Sequence, residues 1–379
     1  MTSLLAHPGL DSFEKILVFL LTLSVLIVLH EAGHFWVARY NGVRVNDFAI
    51  GFGPTLLKWT SPRSGTNYRI NLVLLGGYCA MQGEDGKNNE AEQQRTFRAH
   101  APADVSDNFQ AKTPLARLAI IVAGPFANFV LAYLILLTGV VLFGSASASF
   151  STKVGPVMDG SPAAKAGLAV GDDLVAIDGV RYGDADALVK KIQTSAGVPL
   201  RITYARHGVE RTVSITPAAK SDGKGRTVGQ IGFERIPVFK RVGVLEAFAL
   251  SGLELREGID QQLGGLVQIV VHPAQRAGNL TGVIGMGRVA SVTQELGWAP
   301  YFYFAAMISI ALGIFNLLPI PALDGGRASF IVAEMLRGRP IDAEREALVH
   351  FTGFAVLMAL MVFTAYRDIA NIVSGKGVF

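Results

Sequence analysis

His30-Glu31-Ala32-Gly33-His34 places H-E-x-x-H at the end of an apolar stretch. On a helix, residues i and i+4 share one face, so both imidazoles can offer a nitrogen to one Zn²⁺. Glu31 then lies beside the metal, where a carboxylate can take a proton from a coordinated water. Upstream, residues 16–29 (ILVFLLTLSVLIVL) carry no charge, and with their flanks they are long enough to span a bilayer. A five-residue motif can arise by accident. Two histidines and a glutamate ending an apolar helix are nevertheless costly unless metal, water or polar partners satisfy them, so the setting favours a metal site.

A catalytic zinc usually takes three protein ligands and leaves one position for water. The best candidate for the third is Asp324. It follows the charge-free stretch 298–323, whose end contains Asn316, Pro319 and Pro321 and runs into Asp324-Gly325-Gly326. Two prolines must break regular helix there, and the freed backbone groups must face protein or a cavity. A carboxylate at that depth needs a cation or hydrogen-bond donors. An interfacial aspartate capping the next helix is the alternative; the H-E-x-x-H motif tips the balance to metal.

The elements that must position these groups follow from composition. Of 379 residues, 50% are hydrophobic and 17% charged, with the apolar ones gathered in blocks. That pattern describes a polytopic α-helical membrane protein. The net charge of +4 is mild, and bases are interspersed with acids, so no nucleic-acid patch is expected; a slight basic bias suits a lipid surface. The single cysteine, Cys79, excludes an intrachain disulfide and a cysteine zinc site, and reads as a small apolar filler. The N-terminal apolar core lacks a small-x-small cleavage site and reads as a retained helix.

Four transmembrane helices are expected, within 1–40, 113–145, 296–326 and 347–379. The second (118–143) contains Gly124, Pro125 and Asn128, which need partners from neighbouring helices in lipid. Gly124 fits either close helix packing or a direct role near the site. Residues 41–112 divide into a glycine- and β-former-rich part, 45–81, expected as strands or a hairpin at the membrane surface, and a hydrophilic loop. Residues 151–218 change character to a small α+β domain, with a strand pair around a His-Gly turn at 207–208. Residues 219–295 read as a linker followed by an amphipathic helix, with apolar positions 245, 248, 255, 259, 263, 266 and 270 on one face. Residues 327–346 read as a loop. His7, His100, His207, His272 and His350 lack ligand spacing and read as solvated or packing residues.

Two motifs together, H-E-x-x-H in a first helix and N-x-x-P-x-P-x-L-D-G-G (316–326) ending a later one, resemble the site-2 protease family of intramembrane zinc metalloproteases. The G-S-P-A-A-K-A-G-L run from Gly160, with the Gly-Asp and Asp-Gly that follow, resembles bacterial PDZ domains, which pair peptide termini with a sheet edge. Its place between the second and third helices narrows the resemblance to the bacterial regulator of sigma-E protease type. The resemblance implies Zn²⁺ held by His30, His34 and Asp324, with Glu31 as general base. It implies that Asn316 donates to the substrate carbonyl or its oxyanion. It also implies a membrane-associated β region that contacts substrate, with Tyr68, Asn71, Val73, Leu74, Gly76 and Gly77 as the candidates. The implied setting is the bacterial inner membrane, with the PDZ-like domain periplasmic and the active site near the cytoplasmic side. The implied partners are single-pass membrane proteins, such as anti-sigma factors or remnant signal peptides, the lipid bilayer, and peptide termini at the PDZ-like domain. Two departures stand out: one PDZ segment where well-known members carry two, and Val283 where relatives often have proline.

A second class of function is a membrane-anchored PDZ peptide-binding module with a structural metal. That needs a closed four-ligand site, and no fourth ligand is evident. Metal transport is disfavoured because polar groups do not recur across several helices.

Overall fold

The computed structural model describes residues 12–84, 107–158, 160–221, 226–272, 282–339 and 341–373. The lead before residue 12, the hydrophilic stretch 85–106, Thr281 and the tail after 373 lie outside the described residues. Helix α1 (Ser12–Tyr40) is apolar on nearly every side and carries the H-E-x-x-H one turn and a half before its end. Its neighbours in sequence, β1 (Val45–Thr60) and β2 (Asn67–Met81), form an antiparallel pair folded over on itself. Residues 47–50 pair with 77–80 and also lie beside 67–70, while 55–60 pair with 67–71. The spatial order is therefore 77–81, 45–50, 67–71, 55–60: two long strands bent into four segments. Gly51, at φ +81° and pressed against the Val73 carbonyl, makes the bend in β1 that no residue with a side chain fits. The outer part of the pair exposes Leu56, Leu57, Trp59, Leu72, Val73 and Leu74, a patch suited to lipid.

Helix α2 (Pro114–Phe143) starts at a Thr113 cap, whose hydroxyl accepts from the Ala116 N–H, with proline at the first helical position. It leads into the small α+β domain. The sheet there has the order β10 (Phe233–Lys240), β3 (Ser145–Val157), β4 (Asp173–Ile177), β6 (Leu200–Arg206), β7 (Val209–Ile215), with β5 (Val180–Arg181) on β4. Helices α3 (Pro162–Lys165) and α4 (Ala185–Gln193) cover it, and Ala163, Leu188 and Ile192 join Leu174, Ile177, Leu200, Ile202 and Ile215 in its core. A separate hairpin joins β8 (Ala218–Ser221) to β9 (Thr227–Gln230). The sheet thus takes strands from 145 to 240, wider than 151–218. β8–β10 fall where the sequence reads as linker because they are short or exposed edge strands with little apolar alternation.

Helix α5 (Val244–Val271) packs Leu255, Ile259 and Leu266 on the membrane helices, with Gly258 against Met307 and Ile310, while Leu245, Phe248, Leu263 and Val270 of the expected stripe are exposed. Helix α6 (Val283–Leu296) lies against α1 and α7 (Trp298–Leu317). Helix α7 stops at Leu317, just before the two prolines. The segment 327–346, expected as a loop, is mostly helix α8 (Asp324–Arg337), closed by Gly338 in the left-handed region. Its apolar face is short, and Ile331 is buried against a cluster with Ile120 and Ile121 of α2. Helix α9 (Ala343–Val373) completes the chain. Among the described residues, four helices are long and apolar enough to cross a membrane: Phe13–Tyr40, Pro114–Phe143, Trp298–Leu317 and Arg345–Ala370.

Candidate active site

Three elements distant in sequence bring their polar residues to one point. His30 and His34 project from the buried face of α1, and Asp324 opens α8. His30 Nε2 and His34 Nε2 are 3.2 Å apart. Asp324 Oδ2 lies 3.0 Å from the first and 3.4 Å from the second. Four ligands about 2.0–2.1 Å from a tetrahedral zinc stand roughly 3.3 Å from one another, which is the spacing these three atoms have. Asp324 Oδ2 is buried beside the two imidazole nitrogens. Among the described residues, these three form the group of His, Cys, Asp or Glu side chains able to hold a metal. The donor set and its spacing fit Zn²⁺.

Each candidate ligand is held from behind. His34 Nδ1 lies 2.9 Å from the Ile120 carbonyl oxygen of α2. A carbonyl only accepts, so that nitrogen carries the proton and Nε2 keeps its lone pair for the site. Gly124 lets α2 come this close: a Cβ there would fall on the His34 ring. Close packing and a role at the site, left open by the sequence, are the same contact. Asn128 of α2 is fully buried and meets His30, with Nδ2 3.0 Å from His30 Nδ1. Asp324 is placed by the segment after α7. Ala322 has φ +76°, and its N–H donates to His350 Nδ1 of α9 at 2.9 Å. His350, expected as a packing residue, thus positions the aspartate's loop. The neighbouring Arg327 pairs with Glu84, and Arg117 of α2 pairs with Glu334 of α8 at 2.8 Å, which locks α8 under α2.

Glu31 is half-buried and lies next to β2. A Cβ built on Gly77 would lie 3.7 Å from Glu31 Cγ and 2.7 Å from the Ala49 carbonyl oxygen. The edge segment 77–81 therefore passes beside Glu31. Gly76, at φ +89°, and Gly77 are both buried, and the Leu74 carbonyl accepts from the Ser24 hydroxyl of α1. The six β2 candidates do not share one environment. Tyr68 is stacked on Trp59 at 5.3 Å and packed near Phe35 and Phe48. Asn71 is buried, donates to the Gly51 carbonyl at 2.9 Å and accepts from the Thr55 hydroxyl at 2.9 Å. Tyr68 is flanked by strand on either side, at Phe48 and Trp59, while Asn71 pairs with Thr55. Val73 and Leu74 are exposed at the bend.

Asn316, at the end of α7, donates from Nδ2 to the Leu312 carbonyl at 3.0 Å. An amide has two N–H groups, so one remains for another acceptor. Burial pushes the Cys79 thiol pKa up, and the side chain sits in the apolar cluster of Ala38, Val43 and Met81. It fills space. The sequence named the three side chains that converge here but not the groups that support them. The Ile120 carbonyl is invisible to side-chain patterns, while the lone histidine His350 gave no spacing signal.

The model of peptidase family M50 matches residues 18–360. A zinc metalloprotease of Geobacillus kaustophilus, RasP, is 30% identical over 429 residues, covering 95% of this chain and 98% of its own. The metalloprotease MmpA of Caulobacter vibrioides is 31% identical over 379 residues, covering 92% of this chain and 94% of its own. A solved PDZ domain of the SdrC-like protein from Listeria monocytogenes covers 24% of this chain and 90% of its own, at 25% identity and a TM-score of 0.20.

Proposed function

The chain belongs to peptidase family M50, and from that membership we propose that it cuts membrane-spanning segments of single-pass proteins at a zinc held by His30, His34 and Asp324. It is an intramembrane zinc metalloprotease, like the relatives named zinc metalloprotease. The observation that carries the residue assignment is the convergence of both Nε2 atoms and Asp324 Oδ2 at metal-ligand spacing, with both histidines on a helix otherwise suited to lipid.

Zinc bound there lowers the pKa of a coordinated water and polarises a peptide carbonyl. The chain supplies the rest. Glu31, adjacent to His30, takes the proton of the attacking water and delivers it to the leaving amine. Asn316 uses its second N–H to bind the carbonyl oxygen as negative charge develops. The helical substrate hides its carbonyls in i to i−4 hydrogen bonds, so it must unwind before attack. The segment 72–79, at the bend and edge of the folded strands beside Glu31, receives the freed backbone as an added strand. Leu74, Gly76 and Gly77 are placed for this and Val73 stands at its entrance; Tyr68 and Asn71 support the strand from within. An alternative, a hairpin that merely anchors in the interface, is favoured by its exposed Leu56, Leu57 and Trp59.

The test is Glu31→Gln in the full-length protein. It should keep zinc and abolish cleavage of a membrane-spanning substrate; retained cleavage would remove Glu31 from the mechanism.

The protein is a membrane protein, and we assign its orientation from charge. The stretch from the end of α7 through the first turn of α9 carries Arg327, Arg337, Arg339 and Arg345, against Arg367 and Lys376 at the C-terminal end, which favours the former inside. The active site then lies near the cytoplasmic side of a bacterial inner membrane, and the small domain, read as PDZ-like and as a binder of peptide termini, lies in the periplasm. A cysteine at position 180 labelled only after lysis would overturn this orientation.

A further inference from the structure

Asn128 is wholly buried in the middle of α2, where an amide in a lipid-facing helix needs a reason. Its backbone is fixed: the Asn128 carbonyl accepts from the Ser309 hydroxyl of α7 at 2.8 Å. Its side chain touches His30, with Nδ2 3.0 Å from Nδ1, while its Oδ1 is buried with no hydrogen-bond partner. In this rotamer the amide donates to His30 Nδ1, which forces the ring proton onto Nε2. An Nε2 that carries a proton cannot ligate a metal.

His34 shows the arrangement a ligand needs. Its Nδ1–H is turned to a carbonyl oxygen at 2.9 Å and its Nε2 is free of hydrogen. For His30 Nε2, 3.2 Å away, to offer a lone pair too, its Nδ1 must carry the proton and meet an acceptor. The unpartnered Asn128 Oδ1 is that acceptor after a half-turn of the amide about χ2, a change that alters neither shape nor backbone.

We propose that Asn128 is a positioning residue for the metal: its Oδ1 accepts from His30 Nδ1–H and so fixes the tautomer in which Nε2 faces the zinc site. This rests on the reading of His30, His34 and Asp324 as the ligands. A neutral amide is the group suited to this place. It sets the tautomer as a carboxylate would, without adding a negative charge beside Asp324 and Glu31 in a buried site. Ser309 holds the α2 turn so that the amide cannot drift from the ring. The two histidines thereby receive the same support from one helix, a backbone oxygen for one and a side-chain oxygen for the other.

The experiment measures zinc affinity of the detergent-solubilised full-length protein by competition with a chromophoric chelator, without reference to proteolysis. Asn128→Ala should weaken zinc by about 10–100-fold, the usual cost of losing such a support. Asn128→Asp, which can only accept, should stay within a few-fold of the unsubstituted protein, because the acceptor is what matters. A Co²⁺-substituted sample gives an independent readout: its ligand-field bands should shift in the alanine variant and return in the aspartate variant. Equal zinc affinity in Asn128→Ala would overturn the proposal. So would an aspartate variant as weak as alanine, since that is the signature of a donating or merely space-filling amide. If the unsubstituted protein binds no zinc, or if His30→Ala leaves affinity unchanged, the ligand assignment itself fails, a result separable from failure of the Asn128 role alone.

Discussion

The small α+β domain and the membrane-embedded site are organised by opposite means. In the former, Val154, Leu174, Ile177, Leu188, Leu200, Ile202 and Ile215 share one apolar core. Water expels those side chains, and their burial selects the fold. In the latter, apolar surface is at home in lipid on the outside as well as the inside, so burial discriminates little. The interior there contains Ser24, His30, His34, Arg117, Asn128 and Ser309, and backbones meet at glycine. Hydrogen bonds and close approach set the register of those helices. Helix α9 shows the limit: its apolar membrane-spanning stretch is not buried against the rest of the chain, and its polar ties include His350 to the Ala322 N–H and Asp368 to the Gly285 N–H.

The comparison can be broken from either side. The largest effect is expected at Gly124, where any branched side chain would occupy the His34 ring position. Gly124→Leu should lose zinc by more than the roughly 10–100-fold of a supporting contact, and abolish cleavage. Thermal unfolding of the small domain, followed by its own circular-dichroism transition, should not move. Next comes Leu188→Ala in α4. It should destabilise the small domain by about 2–5 kcal/mol, the range for a buried leucine, and leave zinc content unchanged. Coupled loss in either variant would show that the two regions are one cooperative unit. A smaller effect sharpens the site's other wall. Val73→Pro deletes a backbone donor at the exposed bend and should slow cleavage while zinc stays bound. Substrates with Gly or Pro in the membrane segment should also be cut faster than stably helical ones. Equal rates would rule out strand capture.

What was legible in the sequence follows the same division. H-E-x-x-H, the proline-broken end at Asp324 and four apolar helices are local signals; the structure has four such helices and gathers His30, His34 and Asp324 at one point. The stripe on α5 was legible too, though not the surface it would meet. Features set by distant partners were not. Segment 45–81 reads as strands or a hairpin, and nothing local announces that residues 47–50 will lie beside both 67–70 and 77–80. Helix α8 reads as a loop because its buried face reduces to Ile331 and the two glycines following Asp324. Strands β8–β10 carry exposed, charged or glycine positions that give no alternation. At the site, Asn128 announced a need for partners without naming them, and the Ile120 carbonyl has no signature at all.

The most direct test of the central claim is the zinc content of purified full-length protein beside a His30→Ala, Asp324→Ala double variant, measured by atomic emission on samples of matched folding. Three ligands sharing one ion predict close to one zinc per chain in the first and almost none in the second. Full zinc occupancy in the double variant would place the metal elsewhere and contradict the account.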